Sequence, residues 1–129
     1  YLCIVDLDDF KAINDNYGHN VGDEVICATA SRIVLLLERE DYVCRYGGDE
    51  FVILFLNCDK EKVVQKIERL LKMSKKTLVL KGNKICLGYS VGVTAVDKSI
   101  DFNQAFQKAD QALYEVKQNG KNQVMFFKN

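Results

Sequence analysis

The pattern around residue 48 restricts the fold of this chain more than any other stretch. Residues 42–45 and 51–56 are strand-like runs, and between them stand Tyr46, Gly47, Gly48, Asp49 and Glu50. Strand-like runs joined by a short glycine-containing turn predict a β-hairpin. A turn requires neither two successive glycines nor two successive acids. The combination therefore favours a ligand site, where glycine lets a ligand approach the backbone, over the alternative of a solvated acidic turn.

Apolar periodicity divides the rest of the chain into strands and helices. Residues 1–7 predict a buried strand that ends at acids. Helical spacing predicts helices over 10–17, 21–37, 60–73 and from the cap Asp101 to Gly120, and strand patterns cover 78–80, 84–96 and 123–127. This succession predicts an α+β fold with a central, mostly antiparallel five-stranded sheet flanked by helices.

Composition and charge exclude several classes of protein. The 129 residues suit a single domain, and the 18 basic residues balance the 18 acidic ones. Proteins that bind nucleic acid polymers through phosphates usually carry a basic excess, so such a partner is not expected. Five scattered cysteines without a CxxC pair predict small buried hydrophobes rather than disulfides or a zinc site. The longest apolar run, residues 51–56, is too short to span a membrane, and we expect no membrane contact.

Acidic residues stand at two places that the predicted sheet could bring together. Asp6 ends the first strand, and Asp49 and Glu50 lie in the hairpin turn. If those strands pair, carboxylates from distant segments meet at one edge of the sheet. Hard cations such as Mg²⁺ are held by one or two carboxylates together with substrate phosphates. The sequence therefore predicts a divalent metal site, although a single Asp at a strand end is more often only solvated.

Three segments of the chain resemble the motifs of the GGDEF family, the diguanylate cyclases. Residues 45–51 read RYGGDEF, like the signature of that family. The other two are similar to its first motif, DLDDFK at 6–11 with IND at 13–15, YGH at 17–19 and GD at 22–23, and to its C-terminal motif, ADQALY at 109–114 with Lys117, Gly120, Lys121 and Asn122. Because the three follow one another in the family's order across nearly the whole chain, the chain is identified as a member.

The resemblance implies a fold and a reaction. The fold would be related to the palm of nucleotidyl cyclases and polymerases, with a ferredoxin-like core. Residues 1–129 would form a single domain that condenses two GTP molecules into cyclic di-GMP and two pyrophosphates, by attack of the 3′-hydroxyl on the α-phosphate. Each domain would hold one GTP with two Mg²⁺ or Mn²⁺ ions, and two domains would meet face to face as a homodimer in the cytoplasm.

The family's functional residues carry over onto matching positions. Three acids would be catalytic and metal-binding, helped by a backbone carbonyl: Asp6, Asp49 and Glu50, with Leu7. Glu50 would either bind a second metal ion or help to deprotonate the attacking hydroxyl, and both roles remain open. Two residues would bind guanine, Asn14 and Asp23. The triphosphate would contact the side chains of Lys11, Lys117 and Lys121 and the backbone N–H groups near Asp9 and Phe10.

Three departures from the family pattern change these expectations. Many relatives have an RxxD product-inhibition site before the signature, but here Glu38 replaces its arginine while Asp41 is kept. A carboxylate would repel the product's phosphates, so we predict no such feedback site. Lys121 stands where the family usually has arginine. Lysine keeps the positive charge but lacks the planar fork through which arginine binds phosphate in a bidentate way. The family also begins about thirty residues earlier, near a DxLTGLxNR motif, and the first residue here is Tyr1 rather than Met. We therefore expect a missing N-terminal segment and an upstream sensory region.

Two other functions remain open from the sequence. The chain could be a catalytically silent GTP-binding GGDEF module that regulates a partner domain, such as a cyclic di-GMP phosphodiesterase. It could also be a nucleotide polymerase palm, which shares the logic of paired carboxylates. We rank the polymerase last because zero net charge and a short chain leave no template channel.

Overall fold

The order of strands and helices follows the sequence prediction closely. The computed structural model describes residues 1–128. Along this part of the chain the elements are β1 (Leu2–Leu7), α1 (Phe10–Tyr17), α2 (His19–Val34), β2 (Tyr42–Arg45), β3 (Glu50–Leu54), α3 (Lys60–Met73), β4 (Leu78–Leu80), β5 (Asn83–Ile85), β6 (Tyr89–Thr94), α4 (Phe102–Gln118) and β7 (Val124–Phe126).

The strands form a five-stranded sheet in the order β2-β3-β1-β6-β7 and a separate β4-β5 hairpin. All pairs of the large sheet are antiparallel except β6 and β7, which run parallel. The predicted α+β fold with a mostly antiparallel five-stranded sheet is confirmed, and the parallel pair makes the sheet mixed. β1 lies at the centre of the sheet, so its carboxyl end lies between β3 and β6.

The single strand predicted over residues 84–96 is wrong. Residues 86–88 break it, and β5 pairs with β4 while β6 joins the large sheet. The break has a packing reason, because the backbone N–H of Asp8 donates to the Gly88 carbonyl at 2.9 Å. A Cβ at Gly88 would lie 2.8 Å from Asp8 Oδ2, so the loop after β1 leaves no room for a side chain there.

Helix α2 is shorter at its carboxyl end than the helix that the apolar stripe predicted. It ends at Val34 rather than Leu37, and the N–H groups of Leu36 and Leu37 donate to the carbonyls three residues earlier. Such bonds tighten the last turn of a helix into a turn of smaller radius. Leu36 nevertheless stays buried, so the hydrophobic stripe continues past the regular helix.

Apolar side chains cover both faces of the sheet. On one face, residues such as Val5 and Ile53 pack with buried side chains of α2 and α3, among them Val25, Ile33 and Ile67. The other face has a smaller cluster in which strand residues contact α4: Leu2, Ile4, Val52, Ala105, Ala109 and Leu113. Asp6 and Glu50 follow the period of this second face, so their side chains point to the side of the sheet on which α4 lies.

Helix α4 lies directly on strand β6 because Gly92 has no side chain. A Cβ at that position would lie 2.2 Å from the Ala109 carbonyl oxygen and 2.5 Å from the Leu113 nitrogen. The neighbours Ser90 and Thr94 on the same face are also small and buried. The row of small residues that the sequence shows therefore serves to bring a helix backbone onto the strand, and this fixes where the end of α4 lies.

Next to α4, the same face of the sheet is open above β2 and β3. A groove of about 420 Å³ lies there, lined mainly by apolar side chains that include Leu2, Val52 and Ile100. Tyr42 and Phe102 border it and are 66% and 50% exposed. This half of the sheet therefore presents apolar surface.

The cysteines do not match the prediction that they are small buried hydrophobes. Cys3 is buried, Cys58 is half-buried, and Cys27, Cys44 and Cys86 are exposed; all five are free thiols. Cys44 lies on the edge strand, Cys27 on the outer side of α2 and Cys86 in the break before β6, and each of these positions faces solvent. Within the described part of the chain, no helix is both long enough and apolar enough to cross a membrane.

Candidate active site

The end of β1 and the hairpin turn meet at one edge of the sheet. Asp6 lies opposite Glu50 in the antiparallel pairing of β1 with β3. The Leu7 N–H donates to the Asp49 carbonyl at 3.1 Å. In an extended strand the N–H and C=O of one residue point to the same side, so the Leu7 carbonyl also points towards the hairpin. The strand pairing expected from the sequence thus places the four residues together.

Asp6 is a buried carboxylate with one free oxygen. The residue is 6% exposed, and its Oδ2 forms an ion pair with Nζ of Lys117 near the end of α4. Its Oδ1 is buried and meets no hydrogen-bond donor within residues 1–128. Burial raises the pKa of Asp6 to about 6, with a further contribution from the charge of Asp49, although the bond from Lys117 opposes it. An unpaired buried carboxylate oxygen beside other acids suits a cation.

The hairpin turn is held in shape by backbone bonds and one arginine. The N–H groups of Tyr46 and Gly47 donate to the Glu50 carbonyl at 2.9 and 3.4 Å. Arg45 donates from Nε to the Gly47 carbonyl and from Nη2 to the Gly48 carbonyl, at 3.2 and 2.7 Å. Arg45 therefore holds the backbone of the two glycines that precede the acids. Burial, and then the charge of Asp49, raises the pKa of Glu50.

The loop between β1 and α1 is fixed by contacts with the far end of the chain. Asp8 accepts from Ser90 Oγ at 2.5 Å and from the Asn122 N–H at 3.0 Å, so it supports the loop. Asp9 adopts a left-handed backbone, with φ of 58°, and precedes α1 without capping it through its side chain. The first N–H groups of α1 therefore lie directly after Asp8 and Asp9 in the chain. N–H groups at the start of a helix commonly bind anions.

The three lysines that the resemblance implies would bind triphosphate differ in their ion pairs and in their exposure. Lys117 contacts Asp6, and although partial burial works against its charge, this ion pair raises its pKa. Lys121 follows α4 in a left-handed conformation and its Nζ lies 2.9 Å from Asp9 Oδ1, which raises the pKa of Lys121. Lys11 is exposed on α1. Two of the three cations are thus paired with acids of the same site.

The two residues implied to bind guanine lie where α1 meets α2. Asn14 is half-buried and its side chain lies against Gly22, where a Cβ would be only 1.9 Å from Asn14 Oδ1. Asp23 follows Gly22 and is exposed. The absence of a side chain at Gly22 therefore lets the Asn14 amide lie against the first part of α2, at the residue that precedes Asp23 in the sequence.

The donors at the sheet edge fit a hard divalent cation. Asp6, Asp49, Glu50 and the Leu7 carbonyl offer only oxygen atoms, the ligand type that Mg²⁺ and Mn²⁺ prefer. Among residues 1–128, no three His, Cys, Asp or Glu side chains already surround one point as a metal-binding group. The unpaired oxygen of Asp6 is consistent with a ligand position, while its other oxygen is bound to Lys117.

The sequence assigned no role to two residues near the site, Asn122 and Ser90. Asn122 accepts from the Tyr89 N–H at 3.2 Å through Oδ1 and contacts Ser74 Oγ at 3.3 Å, and Ser90 holds Asp8. Asn122 lines a cleft of about 430 Å³ between α1, the break before β6 and the turn after α4. Asn122 stands in the C-terminal motif, which is a signal that could have singled it out. Ser90 gives no comparable signal.

A sheet edge with three acids, flanked by lysines and a helix start, is an arrangement that can bind a metal-bound phosphate. The family model described as diguanylate cyclase, GGDEF domain, matches residues 1–123. The chain therefore belongs to the GGDEF family, as its motifs predicted.

Individual relatives agree with this assignment. The chain is 36% identical to diguanylate cyclase DosC of Escherichia coli K12 over 129 residues, which are 98% of this chain and 28% of that protein. It is also 36% identical to diguanylate cyclase A of Treponema denticola over 130 residues, 99% of this chain and 35% of that protein. The chain thus spans about a third of the length of these curated relatives.

A solved structure has the same fold. The GGDEF domain of DgcB from Caulobacter crescentus, crystallised in complex with c-di-GMP, superposes with a TM-score of 0.92 at 29% identity. The match covers 99% of this chain and 77% of that one. The five-stranded mixed sheet flanked by helices is therefore the fold of this family.

Proposed function

We propose that this chain is an active diguanylate cyclase domain that makes cyclic di-GMP from two molecules of GTP. The observation that carries the proposal is the strand register that sets Asp6 opposite Glu50, with the Leu7 N–H bonded to the Asp49 carbonyl. All acids of the family signature are present and share one sheet edge. The names of the relatives, diguanylate cyclases at 36% identity, support the same reaction.

The reaction joins each GTP to the other by one phosphodiester bond. The 3′-oxygen of one GTP attacks the α-phosphorus of the other, the bond to the β-phosphate breaks, and pyrophosphate leaves with that bond's electrons. The 3′-hydroxyl loses its proton, and a second such step closes the ring and releases the second pyrophosphate. Two bound Mg²⁺ or Mn²⁺ ions would stabilise the attacking oxygen and the charge that develops on the phosphates.

Residues of this chain would hold the reactants in place. Asp6, Asp49 and the Leu7 carbonyl would ligate the metal ions, and Glu50 would bind a second ion or receive the hydroxyl proton. Burial raises the pKa of Glu50, which makes its carboxylate a better proton acceptor than that of an ordinary glutamate. Lys11, Lys117 and Lys121, with the N–H groups at the start of α1, would neutralise the triphosphate.

Guanine recognition would fall to Asn14 and Asp23. A carboxylate accepts from the ring N–H and exocyclic amine of guanine, and adenine does not present this pair of donors. When the wrong base leaves a polar group of the site without a hydrogen-bond partner, the site rejects that base strongly. We therefore expect GTP to be used at both positions and ATP to be a poor substrate.

The assembly and regulation are part of the proposal. Each domain would bring one GTP to a face-to-face homodimer in the cytoplasm, and residues 1–129 would be one catalytic domain of a longer protein with a sensory region. Product inhibition at an RxxD site is not expected. Asp41 accepts from the backbone N–H groups of Glu38 and Leu56 at 2.8 and 3.0 Å, so its carboxylate is already engaged, and Glu38 brings a negative charge.

The direct test is synthesis of the product by two copies of the chain. We would fuse the chain to a two-stranded coiled coil, verify the dimer by light scattering, add GTP and Mg²⁺, and quantify cyclic di-GMP by chromatography with mass detection. The wild-type fusion should make the product. Asp49→Asn should abolish turnover, because it removes a metal ligand, whereas Glu68→Gln, an acid-to-amide change on the exposed side of α3, should not.

Three outcomes would contradict the proposal. GTP binding without product in a verified dimer would identify the silent module instead. Normal turnover by Asp49→Asn would show that the metal assignment is wrong. Equal use of ATP and GTP would contradict the role of Asp23.

A further inference from the structure

An aromatic cluster joins the hairpin turn to α4. The ring of Tyr46, the residue just before the two glycines, lies 4.7 Å from the ring of Phe106 and 6.4 Å from that of Phe102, measured between centroids. The two phenylalanine rings lie 5.9 Å apart. All three pairs are tilted by 33° to 38°, and Tyr46 and Phe102 are about half exposed. The cluster is therefore a surface contact rather than part of the core.

Within residues 1–128, the hydrogen bonds of the turn do not connect it to a helix. The bonds from Arg45 to the Gly47 and Gly48 carbonyls lie within the turn, and so do those that the Glu50 carbonyl accepts. They fix the shape of the turn. The Leu7 to Asp49 bond ties the turn to β1. Gly47 and Gly48 carry no side chains. Among the contacts of residues 1–128, the ring of Tyr46 attaches the turn to α4, and the charges of Lys117 and Asp110 on that helix act on Glu50.

The same helix carries Lys117, which contacts Asp6 at the end of β1. Phe102 and Phe106 are one helical turn apart in the first half of α4, and Lys117 lies in its last turn. One rigid element thus touches both acidic segments of the site: the hairpin through aromatic rings, and β1 through an ion pair. The sheet pairing joins Asp49 and Glu50 to β1 directly, and the ring contact of Tyr46 gives the turn a second attachment, to α4.

We propose that Tyr46 is a positioning residue, whose ring against Phe106 and Phe102 holds Asp49 and Glu50 at their working distance from Asp6. This proposal rests on the proposed function, since the reaction it serves is the synthesis of cyclic di-GMP. The ring of Tyr46 lies against α4, so it would act through Asp49 and Glu50 rather than on the reacting atoms. Its loss would leave the turn intact in shape but free to move away from α4.

The test compares Tyr46→Ala, Tyr46→Phe and Phe106→Ala in the dimeric fusion. Displacing catalytic groups by about 1 Å can lower a rate by about a hundredfold, so we expect Tyr46→Ala and Phe106→Ala to lower kcat by about tenfold or more. KM for GTP should change by less than about twofold, because binding contacts remain. Tyr46→Phe keeps the ring and should restore wild-type kcat. Tyr114→Ala removes an exposed aromatic ring of α4 outside the cluster and serves as the matched control.

Hydrogen exchange provides a readout that does not depend on activity. Tyr46→Ala should accelerate amide exchange at residues 46–50 and leave α3 unchanged. Wild-type kcat in Tyr46→Ala, a change in KM alone, or faster exchange throughout β2 and β3 would each overturn the positioning role. If the wild-type fusion makes no product, the proposed function fails, and exchange alone decides the role of Tyr46: acceleration confined to 46–50 supports it, and unchanged exchange overturns it.

Discussion

Lys117 Nζ forms an ion pair with Asp6 Oδ2, so a lysine implied to bind triphosphate contacts a carboxylate implied to bind metal. The pair joins the end of the central strand to the last turn of α4. Each partner favours the charged form of the other, and this limits the rise in the pKa of Asp6 that burial causes. The contact therefore keeps a buried acid available as a carboxylate.

Lys117→Met should raise the pKa of Asp6 above about 6, because burial and the charge of Asp49 would then act unopposed by the lysine. The carboxyl carbon of Asp6, followed by NMR during a pH titration of the metal-free protein, measures this directly. Lys117→Arg keeps the charge and should leave the midpoint nearly unchanged. A midpoint in Lys117→Met equal to that of the wild type would show that the ion pair does not form in solution.

Asp41→Asn should destabilise the protein by about 1–3 kcal/mol at pH 7, because the charged acceptor of two backbone N–H groups is lost. Although partial burial opposes the charge, those bonds and Lys66 lower the pKa of Asp41 below its ordinary value of 3.8. A group with a depressed folded-state pKa stabilises the fold above its ordinary pKa, and the contribution disappears as the pH falls through the folded-state pKa.

Urea unfolding at neutral and acidic pH checks this dependence on pH. The difference between wild type and Asp41→Asn should shrink as the pH falls below 3.8. Asp15→Asn, on the exposed side of α1, provides the control and should match the wild type at both pH values. A difference that persists unchanged in acid would assign the effect to packing rather than to charge.

Gly92→Ala should be among the most damaging single changes in the chain. The added methyl group would lie 2.2 and 2.5 Å from backbone atoms of α4, which cannot rotate away as a side chain could. We expect a loss of roughly 3 kcal/mol in the free energy of unfolding. Gly48→Ala meets no atom within 4 Å and should cost little stability, so the melting temperatures of the two variants compare the effects directly.

Lys121→Arg should improve binding of GTP, and Lys121→Met should weaken it. Arginine restores the bidentate fork that matches phosphate geometry, whereas methionine removes the charge. Loss of a charge-assisted hydrogen bond should raise KM by about tenfold. Steady-state kinetics of the dimeric fusion measure both, and Lys98→Met, an exposed lysine before α4, provides the control. An unchanged KM in Lys121→Met would remove this residue from the triphosphate site.

Local patterns in the sequence predicted most of the fold. The alternation of Tyr89, Val91 and Val93 marks a strand, and the capping box of Asp101 and Gln104 begins α4 where the sequence placed it. These signals lie within a few residues of one another, so they can be read without coordinates. The signature around Gly47 likewise gave the family.

Contacts between distant segments could not be predicted in the same way. The pairing of Lys121 with Asp9, and of Lys117 with Asp6, joins opposite ends of the chain and depends on where α4 comes to rest. The break at Gly88 has a similar origin, because it is the loop at Asp8 that fills the space beside it. The local sequence does not indicate which distant residue the fold will place beside a given position.

The close approach at Gly92 also determines how α4 can move. Ala109 and Leu113, which touch this position, lie near the middle of the helix, and Ala105 and Val116 on either side of them are buried as well. The helix is therefore seated on the sheet along most of its length, and its first and last turns keep a fixed relation to each other. A substitution that lifted α4 from β6 would move both ends of the helix together, and it would disturb the ring contact of the hairpin and the ion pair of Asp6 at the same time.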